Sequence, residues 1–235
     1  MMSPPTHLHV YEPFTAPSGR TFTHPDLLLV KLLIQSGSIL HLDVPTELHS
    51  GRMSRHYANL RFHRDVRTLT LLGAHIIRFV RSIEITKGTV PCMIGIPTAG
   101  TPLAIAAAIG SVYDSTPFHY RVMREERKKR RHGIDNTWAG PFDPGETYFT
   151  VENVSTSATT ILVALQRFEE DHFPIDSMHH ILLVNRGGAE ALRSRGIPHV
   201  HVMLEFHDLL AAAVHIGEHS EEVLVEYRQE IADGG

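Results

Sequence analysis

Cysteine is nearly absent from this chain of 235 residues. Its one cysteine, Cys92, excludes an internal disulfide framework and favours a reducing compartment. No apolar run approaches the length of a membrane span, and the first residues lack the pattern of a secretory signal. We therefore expect a cytoplasmic protein without membrane association.

Excess basic charge is also absent. The chain has 22 lysines and arginines against 26 acidic residues, a formal net charge of -4. A nucleic-acid-binding protein usually spreads basic charge over a face, so we expect no nucleic-acid partner. Histidine is abundant, with 18 residues, but the spacing that defines a zinc site is missing, and we predict no structural zinc. The histidines considered for such a site are His179, His180, His199, His201 and His207.

Short apolar runs alternate with helical patterns through the second half of the chain. This alternation predicts an α/β fold, a mostly parallel twisted sheet flanked by helices. Ligands of such sheets bind beyond the carboxyl ends of the strands, which places the loops after Ile96, Val151 and Val184 at a site. The predicted strands are 92–96, 119–123, 147–151, 180–184 and 200–204, and the helices are 102–112, 156–170, 188–195 and about 208–216.

The first part of the chain is predicted to be smaller and more irregular. Residues 1–23 contain several prolines and little periodicity, and we expect an N-terminal arm or flexible lead-in. Residues 24–235 are expected to form one domain, with a hood over about 24–63 and a core over about 64–216. Further predicted elements are a helix at 25–34, strands at 38–43 and 56–62 separated by a turn at 49–54, an amphipathic helix at 64–83 and a charged helix at 220–231.

A hydroxyl-rich turn follows the predicted strand 147–151. Glu152 stands at the end of this strand, where its carboxylate can accept hydrogen bonds from sugar hydroxyls. Serine and threonine then open a helix whose first backbone N–H groups can bind a phosphate. An ordinary helix start needs one hydroxyl cap, and that alternative stays open. The turn comprises Glu152, Asn153, Val154, Ser155, Thr156, Ser157, Ala158, Thr159 and Thr160.

A basic run at 124–133 precedes the same strand. A mobile cationic loop of this kind can supply charge for a polyphosphate. The alternative is a solvated charge run, which is common on protein surfaces. Its position between a strand and the Glu152 turn favours the binding role.

These motifs resemble those of the type I phosphoribosyltransferases, over about residues 33–215. The turn at 152–160 resembles their binding motif for the 5′-phosphate of phosphoribosyl pyrophosphate (PRPP), and the loop ending in His132-Gly133 is most like that of orotate phosphoribosyltransferase. The resemblance implies the fold of that family, displacement of pyrophosphate from C1 of the ribose by a ring nitrogen, and Mg²⁺ bound through PRPP. It also implies a homodimer, because the loop closes over the neighbouring subunit's site.

The resemblance also implies roles for individual residues. Because the guanidinium of Arg186 can bind a carboxylate, it implies orotate or a related acidic base as the acceptor. Arg186 could equally be a surface arginine at the end of a strand. Catalytic roles fall to Glu152, Asn153, Lys128, Lys129 and His132; PRPP contacts to Arg124, the residues 155–160, Thr98, Ala99 and Gly100; and base contacts to Arg186, Met53 and Tyr57.

Several positions depart from the family pattern. Asn153, Ala99 and Met53 each replace a charged residue, and Ala158 stands where glycine is usual, which we expect to be tolerated only at negative φ. Compensating charge from Arg55 or Arg61 would suit a different acceptor or donor. Otherwise the chain is a catalytically impaired PRPP- or nucleotide-binding regulatory or scaffold protein, or a partner-binding protein that reuses the fold.

Overall fold

The computed structural model describes residues 10–48, 51, 53–62, 66–126 and 137–233. Its first part holds two small antiparallel sheets, each a pair of strands, and two helices. In chain order these elements are β1 (Phe14–Thr15), β2 (Thr21–Phe22), α1 (His24–Gln35), β3 (Ile39–Glu47), β4 (Met53–Ala58) and α2 (Val66–Arg81), with a 3₁₀ turn at Leu60–Phe62.

The rest of the described chain alternates strands and helices. The strands form one five-stranded sheet in the order β6-β5-β7-β8-β9, and every neighbouring pair is parallel. These elements are β5 (Val90–Gly95), α3 (Gly100–Gly110), β6 (His119–Val122), β7 (Glu146–Ser155), α4 (Thr159–Glu170), β8 (His179–Asn185), α5 (Gly188–Arg193), β9 (Val200–Glu205), α6 (Phe206–His215) and α7 (Glu221–Ala232).

The sheet is covered on both faces, which confirms the predicted fold class. Successive residues of a strand point to opposite faces, so Met93 packs in one apolar cluster while Cys92 and Ile94 pack in the other. This double burial is seen in β5 and β8, whose residues are buried along nearly the whole length of each strand. No helix among the described residues is long and apolar enough to span a membrane.

The start of the described chain corrects the expectation of a flexible lead-in. Phe22 is fully buried in the main core, and Tyr11 and Ala16 belong to the same cluster. Helix α1 begins directly after this segment, because the backbone N–H of Thr23 donates to Asp26 Oδ2 at 2.9 Å in a capping box. Residues 10–23 are therefore part of the packed structure, and the division into an arm at 1–23 and a domain at 24–235 stays a prediction.

Two predicted boundaries near the cleft are wrong. β7 continues to Ser155, since Val154 and Ser155 pair with Val184 and Asn185 of β8, and Glu152 therefore lies within a strand. Helix α4 accordingly begins at residue 159 instead of 156. In the hood, the predicted strand 56–62 is β4, which starts earlier and gives way to a 3₁₀ turn.

Close packing of glycines holds the carboxyl edge of the sheet together. A Cβ atom on Gly100 would lie 2.0 Å from the carbonyl oxygen of Val151, so α3 begins directly against β7. A Cβ on Gly188 would lie 2.0 Å from Ser155 Oγ, so the turn after β8 presses on the end of β7. Only glycine permits these approaches without displacement of the neighbouring strand.

Candidate active site

A cleft lies at the carboxyl edge of the sheet, where the turns after β5, β7 and β8 meet the hood. It contains a cavity of about 170 Å³. The cleft therefore joins three loops that the sequence predicted as parts of one site. Its lining residues are Leu48, Tyr57, Ala58, Asn59, Arg61, Pro97, Thr98, Ala99, residues 152–160 and Arg186.

Glu152 is the acid of this cleft, and it is buried. Its Oε1 accepts a hydrogen bond from the backbone N–H of Asn153 at 2.9 Å, whereas its Oε2 is buried and has no hydrogen-bond partner in the described part of the chain. Burial raises the pKa of Glu152 to about 7, against a small opposing effect of the backbone hydrogen bond and the Arg61 charge. A carboxylate oxygen is thus available to a ligand that donates hydrogen bonds.

The turn after β7 brings backbone N–H groups to the cleft. Helix α4 is 12 residues long, and Ala158 at its N-cap has no side-chain hydrogen bond to the helix start. The first N–H groups of a helix lack intrahelical partners and favour anions. Hydroxyl groups flank them, with Ser157 Oγ and Thr159 Oγ1 3.0 Å apart. This arrangement suits a phosphate.

Ala158 corrects one sequence expectation. We expected alanine here only at negative φ, but its φ is 58°, in the left-handed region that favours glycine. Ala158 therefore has a backbone conformation that glycine adopts more readily than alanine. Its methyl group is buried in the apolar cluster beneath the turn, with Ile161 and Ala189.

The turn after β5 carries less charge than the resemblance implies for its family. Thr98 and Ala99 line the cleft, while Gly100 lies behind them in the packing of α3 against β7. The Thr98 hydroxyl donates to Glu125 Oε1 at 3.2 Å, so an acidic group stands beside this turn. No cationic side chain of this turn faces the cleft among the described residues.

The basic loop is described only at its start. Arg124 does not line the cleft; its Nη1 donates to the carbonyl oxygen of Thr137 at 3.4 Å. The predicted contacts of Lys128, Lys129, His132 and Gly133 lie outside the described residues.

Arg186 is not the surface arginine that one sequence alternative allowed, because only 4% of its side chain is exposed. Nη1 donates to the carbonyl oxygen of His56 at 2.7 Å, and Nη2 donates to Ser54 Oγ at 3.3 Å. Nη2 also lies 3.7 Å from Glu230 Oε1 on α7. The guanidinium stacks on Phe206, with its Cζ 4.4 Å from the ring centroid. Arg186 thus ties the sheet to the hood and to α7.

The hood brings one of its two predicted base contacts to the cleft. Tyr57 lines the cleft, whereas Met53 is exposed, does not line it and lies beside Glu226 and Glu230. Of the two candidate compensating charges, Arg61 lines the cleft. Arg55 lies 4.0 Å from Glu226, outside it.

Sequence reasoning missed the residues of α7 that reach the hood. His41 Nε2 lies 2.9 Å from Glu226 Oε2, and His56 Nδ1 lies 2.9 Å from Glu230 Oε2. No local signal reveals such pairs, because their members are separated by more than 170 residues. The atoms of His41, His56 and Glu226 that could bind a metal ion lie within 4.8 Å of one another. Both ring nitrogens of His56 already contact acceptors, the second being the carbonyl oxygen of Val223 at 3.0 Å.

No family model matches this chain. A curated relative, the orotate phosphoribosyltransferase of Aquifex aeolicus, is 30% identical over 169 residues, which cover 71% of this chain and 88% of the relative. This chain belongs to the orotate phosphoribosyltransferase family. The resemblance predicted from the turn at 152–160 and the loop ending in Gly133 is confirmed, and membership of a family of pentosyl-transferring enzymes agrees with the expectation of an enzyme.

Solved structures share the fold of this family member. The UMP synthase of Leishmania donovani has a TM-score of 0.68 at 17% identity, and the match covers 88% of this chain and 42% of that one. The orotate phosphoribosyltransferase of Mycobacterium tuberculosis, solved in complex with PRPP, has a TM-score of 0.52 at 19% identity, with 79% and 98% covered. At these identities the likeness concerns the fold alone.

Proposed function

We propose that this family member binds PRPP and transfers its phosphoribosyl group to a nitrogenous base, with release of pyrophosphate. The observation that carries the proposal is that a Glu152 oxygen and the start of α4, neither of which has a side-chain partner among the described residues, lie in one cleft. These two features match the two ends of a ribose 5-phosphate group. Family membership supports the same reaction, and orotate is the first acceptor to test.

In the proposed complex each part of the cleft has one task. Glu152 accepts hydrogen bonds from the ribose hydroxyls, and the residues 155–160 hold the 5′-phosphate through backbone N–H and hydroxyl groups. A ring nitrogen of the base forms a bond to C1 of the ribose as the bond from C1 to the pyrophosphate oxygen breaks. The protein contributes orientation and fixed charge, and its side chains form no covalent bond with the substrates.

Magnesium fits this cleft as a partner of PRPP. Among the described lining residues Glu152 alone carries a carboxylate, which is too few oxygen ligands for a protein cage around Mg²⁺. The pyrophosphate and ribose hydroxyls of PRPP would therefore provide most of its ligands, with the Glu152 carboxylate within the same cleft. An ion bound in this way would supply positive charge beside the departing pyrophosphate.

A homodimer is part of the proposal, because the family resemblance implies that the loop at 124–133 of one subunit closes over the neighbouring subunit's site. Light scattering of the purified protein tests the dimer directly.

A second candidate is a PRPP-binding protein with impaired turnover. The uncharged Ala99 and Asn153 in the cleft favour it, because each lacks a charge that would act on PRPP or its transition state. An assay of PRPP-dependent pyrophosphate release across a panel of bases tests the proposed transfer. Release with one base supports transfer, whereas thermal stabilisation by PRPP without release from any base supports the second candidate.

The variant Asn153→Asp separates these candidates further. A carboxylate at this position can stabilise positive charge on the ribose ring, so an impaired enzyme should gain turnover by about tenfold. A fall in turnover with unchanged PRPP binding would instead show that the asparagine belongs to a working site. If PRPP neither stabilises the protein nor leads to release of pyrophosphate, both candidates are contradicted.

A further inference from the structure

Two cationic side chains line the cleft among the described residues, and their surroundings differ. Arg61 is exposed at the rim, and its charge acts on Glu152. Arg186 is buried at the opposite wall, where Glu230 of α7 faces its guanidinium. The positive charge of Arg186 therefore already has a counter-ion from this chain.

Both terminal nitrogens of Arg186 have partners in this chain. Nη1 donates to the carbonyl oxygen of His56, and Nη2 donates to Ser54 Oγ and lies 3.7 Å from Glu230 Oε1 in an ion pair. Its planar face lies over the rings of Phe206 and Tyr227. A carboxylate binds arginine best through two parallel N–H groups, and such an approach to both terminal nitrogens would displace these contacts.

Glu230 contacts His56 as well as Arg186. Its Oε2 lies 2.9 Å from His56 Nδ1, and its Oε1 is buried with no hydrogen-bond partner among the described residues, 3.7 Å from Arg186 Nη2. Burial alone would raise the pKa of Glu230, but hydrogen bonds from Ser54 and His56 and the charges of His56 and Arg186 lower it overall. Glu230 is therefore a carboxylate at neutral pH.

We infer that Glu230 is a specificity-determining residue that competes with the carboxylate of an acceptor base for Arg186. The inference rests on the proposed function, since it concerns the acceptor side of the same cleft. A base without a carboxylate meets a neutral Arg186–Glu230 pair. A carboxylated base must displace Glu230 or accept repulsion from it, so its binding is weakened relative to the uncarboxylated base.

Uracil and its 6-carboxylate, orotate, are the matched probes, because they differ only in this group. We would measure the dissociation constants of both by calorimetry in the presence of ribose 5-phosphate, and kcat/KM with PRPP where turnover occurs. Glu230→Gln keeps the size of the side chain and removes its charge. We expect it to shift the preference toward orotate by about tenfold, with uracil binding nearly unchanged.

The matched control is Glu226→Gln, one turn earlier on α7. Glu226 pairs with His41 and Arg55, whereas Glu230 pairs with Arg186, so the loss of Glu226 removes a similar charge without freeing Arg186. We expect the ratio of orotate to uracil affinity to stay within about twofold of the native value, as for an exposed pair. An equal shift in both variants would mean a general charge effect and would overturn the inference.

Failure of the inference is distinguishable from failure of the proposed function. If PRPP stabilises every variant but Glu230→Gln leaves the preference unchanged, the specificity role of Glu230 is wrong and the transfer proposal stands. If PRPP and both bases fail to bind any variant, the proposed function falls and the inference falls with it. Should Glu230→Gln not fold, Glu230→Asp retracts the carboxylate from Arg186, and an unchanged preference in that variant would overturn the inference equally.

Discussion

The two sides of the cleft differ in how this chain holds Glu152 on one side and Arg186 on the other. Glu152 Oε2 and the start of α4 are uncompensated in the described structure. Arg186, by contrast, is bound by the hood backbone and by Glu230. Unpaired buried groups cost folding free energy, so a protein that keeps them has them available for a ligand. Under the proposed function, this difference would suit a site that is open to the sugar phosphate and restrictive toward the base.

The largest expected effect on stability comes from the close contact between Gly188, in the turn after β8, and Ser155, at the end of β7. Gly188→Ala would place a Cβ 2.0 Å from Ser155 Oγ and 2.5 Å from Ser155 Cβ, which forces β7 and the turn after β8 apart. We expect a loss of about 2–3 kcal/mol in the free energy of unfolding, measured by urea denaturation, and weaker ribose 5-phosphate binding. Gly196→Ala is the control, because its Cβ meets open space and its cost arises only from a φ of 80°. Equal losses in both variants would show that the close approach is unimportant.

Burial of Glu152 predicts a dependence of stability on pH. Its pKa is raised to about 7 in the folded protein, above the ordinary 4.5, so folding favours the protonated form. This residue's contribution to stability is therefore lost as the pH rises from about 4.5 to about 7. Relative to Glu152→Gln, the native protein should lose about 2 kcal/mol of stability between pH 5 and pH 8. Parallel pH profiles of the two proteins would contradict the raised pKa.

A smaller effect is expected from the charge at the rim of the cleft. Arg61→Gln should weaken PRPP binding by about fivefold, because Arg61 is a cleft cation exposed to an incoming polyphosphate. It should also raise the pKa of Glu152 further, since the charge of Arg61 lowers it. Arg55→Gln is the control, because Arg55 lies near Glu226 outside the cleft. If both variants bind PRPP equally well, the charge of Arg61 has no specific role.

The smallest effect concerns Ala158. Glycine would relieve the left-handed backbone at φ 58°, a gain of about 1 kcal/mol, but it would remove a buried methyl group worth about 0.8 kcal/mol. These terms nearly cancel, so Ala158→Gly should change the free energy of unfolding by less than about 1 kcal/mol. Urea denaturation measures this difference. A large loss of stability would mean that the methyl group fixes the shape of the turn.

The fold and the part of the cleft formed by residues 152–160 could be predicted from sequence because their signals are local. Alternating apolar runs predicted the strands of the parallel sheet, and an acidic residue followed by serines and threonines predicted that the segment 152–160 lies at a site. The pairing between β7 and β8 beyond Val151 was missed, because strand length depends on a neighbour that no local pattern specifies.

The partners of Arg186 could not be predicted, because they are distant from it in sequence. Arg186 meets His56 from the hood and Glu230 from α7, and neither partner carries a motif that points to it. The motif also predicted that Met53 contacts the base, but Met53 does not line the cleft. Packing of residues 10–23 was missed for a related reason, since its few apolar side chains form no periodic pattern.

The most direct test of the account is the affinity for ribose 5-phosphate between pH 6 and pH 8, in the native protein and in Glu152→Gln. Ionised Glu152 accepts hydrogen bonds from the ribose, so the native protein should bind about tenfold more tightly than the variant at pH 8 and only slightly more tightly at pH 6. The ligand phosphate also titrates near pH 6, and its effect appears equally in both proteins. Equal affinity of the two proteins at pH 8 would contradict a sugar-binding role for Glu152.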